Sequence, residues 1–197
     1  MTISAPARRI LMPLALAATA ILGGLAPANA DPVPGPNQAA DLPFTGLSAP
    51  TEVAVAASGT VYVVDSGNSR VVALSPNGTQ ETLSLFGVSA PVDVAVDAAG
   101  NVYVLDYDDK VVRVSAGGRV QTTLQLAAHS SKPTALGVDA AGYGYISVLY
   151  NHGSDPQIVH ISPTGYRSRE PLNDIRMLTD GLAVDWDGKT FVTAYDS

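Results

Sequence analysis

The sequence predicts an all-β fold, a short or incomplete β-propeller of about four blades, and three observations predict it. First, the chain repeats itself: APTEVAVAASGTVYVVDSGNSRVV from Ala49, APVDVAVDAAGNVYVLDYDDKVV from Ala90, KPTALGVDAAGYGYISVLY from Lys132 and LTDGLAVDWDGKTFVTAYDS from Leu178. The opening prolines Pro50, Pro91 and Pro133 stand 41 and 42 residues apart, and Thr179 takes that place 46 residues further on. Second, the apolar runs are short and rich in valine, with no sustained helical period. Third, a glycine sits at one common place in every copy. A period of this length marks a stack of supersecondary units, and units of four short strands without helices mark sheets packed around a channel.

From the N-terminus, Arg8 and Arg9 precede an apolar run over 10–25, and the small residues Ala28-Asn29-Ala30 stand before Asp31. This order fits a secretory signal peptide over 1–30, cleaved after Ala30. As a membrane span the run is poor, because Pro13, Gly23 and Gly24 interrupt it. No stable membrane anchor is therefore expected after cleavage, and the arginine pair leaves the twin-arginine route open beside general secretion. Residues 31–41 (DPVPGPNQAAD) hold three prolines and no apolar periodicity, so they read as an extended linker. The propeller is expected over 42–197, with copies at about 49–89, 90–131 and 132–177 and a partial one at 178–197.

Within the first copy the strands are expected at about 52–55, 60–64, 70–74 and 82–85. β-Branched valine is at home on a pleated surface. The turns Ala57-Ser58-Gly59, Ala98-Ala99-Gly100, Ala140-Ala141-Gly142 and Trp186-Asp187-Gly188 place glycine where a tight hairpin needs φ > 0. Asp97, Asp139 and Asp185 precede three of these turns and suit the role of acceptor for their amides. Runs such as Val61-Tyr62-Val63-Val64 are nearly continuous in hydrophobicity, as expected where neighbouring blades cover both faces of a sheet.

The string G-x-V-Y-V-x-D-S-G-N-x-R-V from Gly59 to Val71 resembles the NHL repeat. The stretch 42–47 (LPFTGL) before a new copy resembles the blade junctions of the extracellular sensor propeller of mycobacterial receptor Ser/Thr kinases. The resemblance spans about 42–195, is loosest at Tyr150 to Pro156 in copy three, and implies NHL-type blades that bind a ligand or protein outside the cell. It does not imply a kinase here, because no glycine-rich nucleotide loop, HRD or DFG string occurs. Such propellers usually have six blades, so three and a half copies need an account. Either 42–47 supplies the outermost strand of the blade begun by 182–185 and 190–194, or two chains associate through half-blade edges, or the product is truncated.

Composition narrows the chemistry. The chain has no cysteine, which removes disulfides, thiolate metal sites and cysteine nucleophiles. A net charge of −7 makes nucleic acid an unsuitable partner. In a propeller the loops between strands two and three gather at one face with the connections between blades, and binding is usually carried there. That face should present Glu52, Asp65, Asn68 and Arg70 from copy one and Asp93, Asp106, Asp108 and Asp109 from copy two. Copies three and four add His129, His152, Asp155 and Asp180. So many carboxylates suit a cationic ligand, a divalent cation or a basic protein patch.

Each group also has a structural reading. Asp65 and Arg70 flank a tight loop and suit pairing with each other or capping of amides. Asp106-Tyr107-Asp108-Asp109-Lys110 lacks the glycine and closing glutamate of a calcium loop. Glu52 and Asp93 share one position, which Ala135 and Gly181 occupy in the other copies, so a ring of inward acids is broken. His160 alternates within a strand run and suits packing between blades, whereas His129 and His152 fall on the loop face, where zinc would need a third protein ligand. The function expected is a secreted or cell-envelope binding or sensor module without catalysis or a resident cofactor, recognising a protein or envelope ligand. The alternatives are a metal-dependent hydrolase or lyase on the same scaffold, since the family includes a zinc-using amidating lyase, and a self-assembling envelope protein.

Overall fold

The computed structural model describes residues 41–126, 132–150, 155–172, 177–185 and 187–195. Among these described residues, fourteen strands make four antiparallel sheets. The first sheet runs β1 (Pro50–Val55), β2 (Val61–Asp65), β3 (Arg70–Leu74), β4 (Gln80–Thr82) in that spatial order. The second is β5 (Pro91–Val96), β6 (Val102–Asp106), β7 (Lys110–Val114), β8 (Gln121–Gln125). The third is β9 (Lys132–Val138), β10 (Gly144–Tyr150), β11 (Asp155–Ile161), β12 (Arg167–Pro171). A two-stranded sheet follows, β13 (Met177–Val184) with β14 (Thr190–Tyr195). One 3-10 turn at Ser66–Asn68 is the only helical element among the described residues. β1 packs against β5, β5 against β9 and β9 against β13, so the first strand of each unit is the innermost and the architecture is that of propeller blades.

Valine makes this stacking possible, because it fills the space between sheets without needing a hydrogen-bond partner. Between the first two blades Val64 and Val71 meet Val94, Val102 and Val104. Between the second and third, Leu105, Val111 and Leu126 meet Ile146, Val148 and Val159. Each fully buried side chain of this kind contributes roughly 1.5–3 kcal/mol. Continuous hydrophobicity therefore reports two covered faces in blades two and three. In β1 it does not, since Val53 is 63% exposed and Val55 is 64% exposed on the face that meets no described blade.

A polar bracket repeats on the hairpin side. The Tyr103 hydroxyl donates to Asp97 Oδ2 at 3.0 Å and reaches the Gly142 carbonyl of the next blade at 3.3 Å. Asp97 also accepts the Asn101 amide at 2.8 Å, as the turn reading expected. Tyr145 repeats the bond with Asp139 at 3.1 Å, and Asp139 Oδ1 accepts the amides of Ala141 and Tyr143, as Asp185 accepts those of Asp187 and Lys189. Burial pushes the Tyr103 and Tyr145 hydroxyls up to about 12, and the neighbouring carboxylates add to the rise. Gly142 has φ +83, and a Cβ there would stand 2.9 Å from the Tyr103 hydroxyl, so both turn geometry and the neighbouring blade require glycine.

The fourth strand and the chain entry differ from the sequence expectation. β4 ends at Thr82, and Leu83, whose amide still donates to the Val71 carbonyl at 2.9 Å, packs with Leu85 into the seam between blades one and two. Residues 44–47 do not complete the last blade. Thr45 exchanges two backbone bonds with the Gln80 amide, at 2.8 and 3.0 Å, and the Gly46 carbonyl accepts Asn68 and Arg70 at 3.1 and 2.8 Å. The same device holds the next connection, where Gln121 binds the Phe86 backbone at 2.9 and 2.6 Å, and Arg167 takes the role in blade three by donating to the Gln125 carbonyl. Segment 44–47 thus lies on the first blade as each later connection lies on the blade it leads into. Among the described residues no substantial contact joins β13 back to β1.

Blade three and the last sheet meet at Gly137, where an added Cβ would run into Val184 and Leu182. Gly137→Ala is expected to destabilise the protein by about 1–3 kcal/mol through overpacking at that seam. Urea unfolding checks it, and an unchanged midpoint would show that the last sheet does not lean on β9.

Candidate functional site

Two aspartates build the loop face. By register Pro50 stands opposite Asp65 and Pro91 opposite Asp106, so each carboxylate closes the end of the second strand beside the start of the first. Asp65 is fully buried. Its Oδ1 accepts the Ser48 amide at 2.6 Å, and its Oδ2 accepts Asn68 at 2.8 Å and Arg70 Nε at 2.7 Å. Asp106, equally buried, accepts Ser89 and Ala90 amides on Oδ2 at 2.7 and 3.0 Å, the Asp108 amide on Oδ1 at 3.0 Å, and faces Lys110 Nζ at 3.3 Å. Burial alone would raise both carboxyls, but these donors outweigh it and hold them below the usual carboxylate range. Their job is to tie each loop to the incoming connection. In blade three Val148 stands opposite Pro133, and the tie is absent.

The other acids divide. Asp108 is exposed and accepts the Ser89 hydroxyl at 2.9 Å, with Lys110 Nζ at 3.5 Å. Asp109 takes φ 56, the left-handed position that Ser69 takes at φ 52 in blade one, which an aspartate tolerates. Asp106 to Asp109 therefore form a braced turn, not a cation cage. Among the described residues no three His, Asp or Glu side chains gather as a metal site. His129 and His152 lie outside the described residues, as do the side chains of Asp155, in β11, and Asp180, in β13. His160 Nε2 meets Glu170 Oε2 at 3.2 Å on the neighbouring strand, and its ring stands edge-on to Tyr145 at 5.0 Å.

Asp93 behaves differently from its loop-face neighbours. It sits where the β5 register slips, and its Oδ2 accepts the Leu136 amide of β9 at 2.7 Å, a bond between blades. Burial pushes its carboxyl up to about 7, the Leu136 and Val94 amides pull the other way, and the charge of Glu52 adds to the rise.

Beside this group the chain starts of blades one, two and three enclose a cavity of about 420 Å³. Pro91, Pro133 and Val92 supply its apolar lining, Tyr107 an aromatic ring, and Glu52 and Lys132 its charges. Thr51, Ser66, Ser69 and Thr134 add hydroxyls. Of the residues expected to carry binding, the structure brings Glu52 to this cavity, while Asp65, Asn68, Arg70, Asp93 and Asp106 stand behind or beside it in structural bonds. Thr51, Lys132 and Thr134 were missed by sequence reasoning. Their signal was available, since each flanks the proline that opens a copy.

Comparison with known proteins fits this architecture. Residues 47–74, the first blade, match the family model of the NHL repeat. No curated protein matches the chain. Among solved structures it is similar to a nidogen/laminin complex, with TM-score 0.60 and 17% identity over 74% of this chain and 56% of that one. It is similar to a putative gluconolactonase, with TM-score 0.59 and 14% identity over 76% and 57%. A catalytically inactive virginiamycin B lyase from Staphylococcus aureus with quinupristin gives TM-score 0.56 and 12% identity over 80% and 59%. The chain thus spans less than two thirds of the length of each. At these identities the likeness defines the fold, a β-propeller.

Two measurements check the electrostatics. Asp65→Ala strands the Asn68, Arg70 and Ser48 donors and should cost at least about 2 kcal/mol in chemical unfolding. A carboxyl raised on folding contributes stability that is full below its unfolded value, 3.8, and is lost as pH climbs through about 7. Asp93→Asn should therefore gain on the parent as pH rises from about 4 to about 8, by up to about 4 kcal/mol. A difference between the two proteins that stays flat with pH would show that Asp93 titrates normally.

Proposed function

We propose that this chain is an exported, non-catalytic binding module that engages a ligand of the extracellular space or cell envelope, a protein among them, through the loop-face cavity. The observation that carries the reading is the division of labour at that face. Asp65 and Asp106 are bound into the scaffold, so the loops are held rigid, and the cavity they frame presents an aromatic ring, hydroxyls and one charge of each sign. A rigid concave site with a few convergent polar groups is a general binding design. The leader-like residues 1–30 support export. One similar structure is a nidogen/laminin complex, which supports binding as one employment of this fold, while a lyase and a putative gluconolactonase show that related scaffolds also accompany enzymes. The sensor role implied by the kinase-receptor resemblance and self-association at the half-blade stay within this proposal as finer readings.

Asp93 is the group that would suit an acid–base enzyme, given its raised carboxyl. Both its oxygens accept backbone amides, from Leu136 and Val94, and it does not line the cavity. Its geometry therefore favours joining blades over proton transfer to a ligand.

A photo-crosslinking residue placed at Tyr107 on the loop face, and separately at Val120 in the hairpin turn at the opposite end, tests the proposal in the mature chain. Adducts from envelope or extracellular material are expected at Tyr107 and not at Val120. Equal labelling at both ends, or none at Tyr107, would remove it.

A further inference from the structure

We propose that the loop-face cavity takes a saccharide, an inference that rests on the binding reading above and names its ligand class. The argument proceeds by what each ligand chemistry would meet there. A hard cation wants about six to eight oxygen ligands. Glu52 is the cavity's one lining carboxylate among the described residues, because Asp65 and Asp106 face inward onto backbone amides. A strongly anionic ligand would find one ammonium, Lys132, on a chain of net charge −7. A wholly apolar ligand would cover the Lys132 ammonium without bonding it, and a stranded polar group costs about 1–3 kcal/mol.

A sugar ring satisfies all of these groups together. Its C–H face is apolar and suits a flat aromatic surface, and Tyr107 offers one at 53% exposure. Its hydroxyl edge both donates and accepts, so vicinal hydroxyls can donate to the Glu52 carboxylate and accept from the Lys132 ammonium. Thr51 in β1 and Ser66 in the turn after β2, whose hydroxyl oxygens lie 2.8 Å apart, keep unused donor or acceptor capacity toward a third hydroxyl. Pro91 and Pro133 are buried and carry no amide donor, so they give the cavity an apolar floor with a fixed backbone φ. The volume of about 420 Å³ falls in the range of about 300–1,000 Å³ typical of small-ligand sites.

The test is a titration of the isotope-labelled mature chain with chitotriose and with maltotriose, followed by backbone amide shifts. Saturable shifts confined to Thr51, Glu52, Val92, Lys132 and Thr134 are expected with at least one of the two sugars. Tyr107→Ala should weaken that binding about tenfold or more, a loss of about 1.4 kcal/mol, with an unchanged unfolding midpoint because the ring is exposed. Lys132→Met should weaken it as well. No shift at millimolar sugar overturns the proposal, as does an affinity left unchanged in Tyr107→Ala. So would inorganic phosphate or a short peptide shifting these amides when neither sugar does, which would assign the cavity to another class. Failure with sugars while Tyr107 still crosslinks to envelope material rejects the saccharide and leaves the binding face standing, whereas loss of both rejects the face itself.

Discussion

A four-stranded sheet with apolar residues on both faces cannot stand alone in water, and that requirement governs this protein. Each sheet gains stability only when another covers it, so the valine seams of the first three blades come before any loop can be placed. Everything at the loop face inherits its position from those seams. Between the first strands of neighbouring sheets, Asp93 adds a polar joint by accepting the Leu136 amide, and the Tyr103 hydroxyl adds another on the hairpin side. Interior valines set how near the sheets approach, while these few directional bonds fix how they are aligned.

The same economy explains the loops. A carboxylate withdrawn from water is tolerable when several donors surround it, and Asp65 and Asp106 each meet three or more. Such a group makes a poor ligand contact and a good tie. Hence the acids that dominate the sequence of this face are mostly framework, and the cavity is lined by less conspicuous residues such as Tyr107, Thr51 and Lys132. Acidic composition describes the solvent-facing charge of the chain without describing the chemistry of the cavity.

The blade period was legible because it is written in the order of strands, and the hairpin turns because Gly100 and Gly142 must adopt positive φ whatever surrounds them. The pairing of Asp65 with Arg70 was legible because five residues of a tight loop leave few other arrangements. Less legible were the events at the outer strands. Leu85 looks like a strand residue by composition, yet it lies beyond β4 and, with Leu83, fills the space between blades. Residues 44–47 read as part of the last blade, since a ring would use them so, but the Gln80 amide and Arg70 capture them on the first.

What the sequence determined by itself is everything that depends on near neighbours along the chain: the all-β character, the repeat, the turn glycines and the aspartates that cap them. These follow from backbone sterics and from hydrogen bonds spanning a few residues, which no distant partner needs to supply. Only the tertiary structure decided which carboxylates face inward, that Lys132 and Thr134 stand across from Thr51 and Glu52, and that these residues enclose a cavity. Those facts depend on side chains from different repeats meeting across a blade seam, and no local pattern encodes the angle at which two sheets pack.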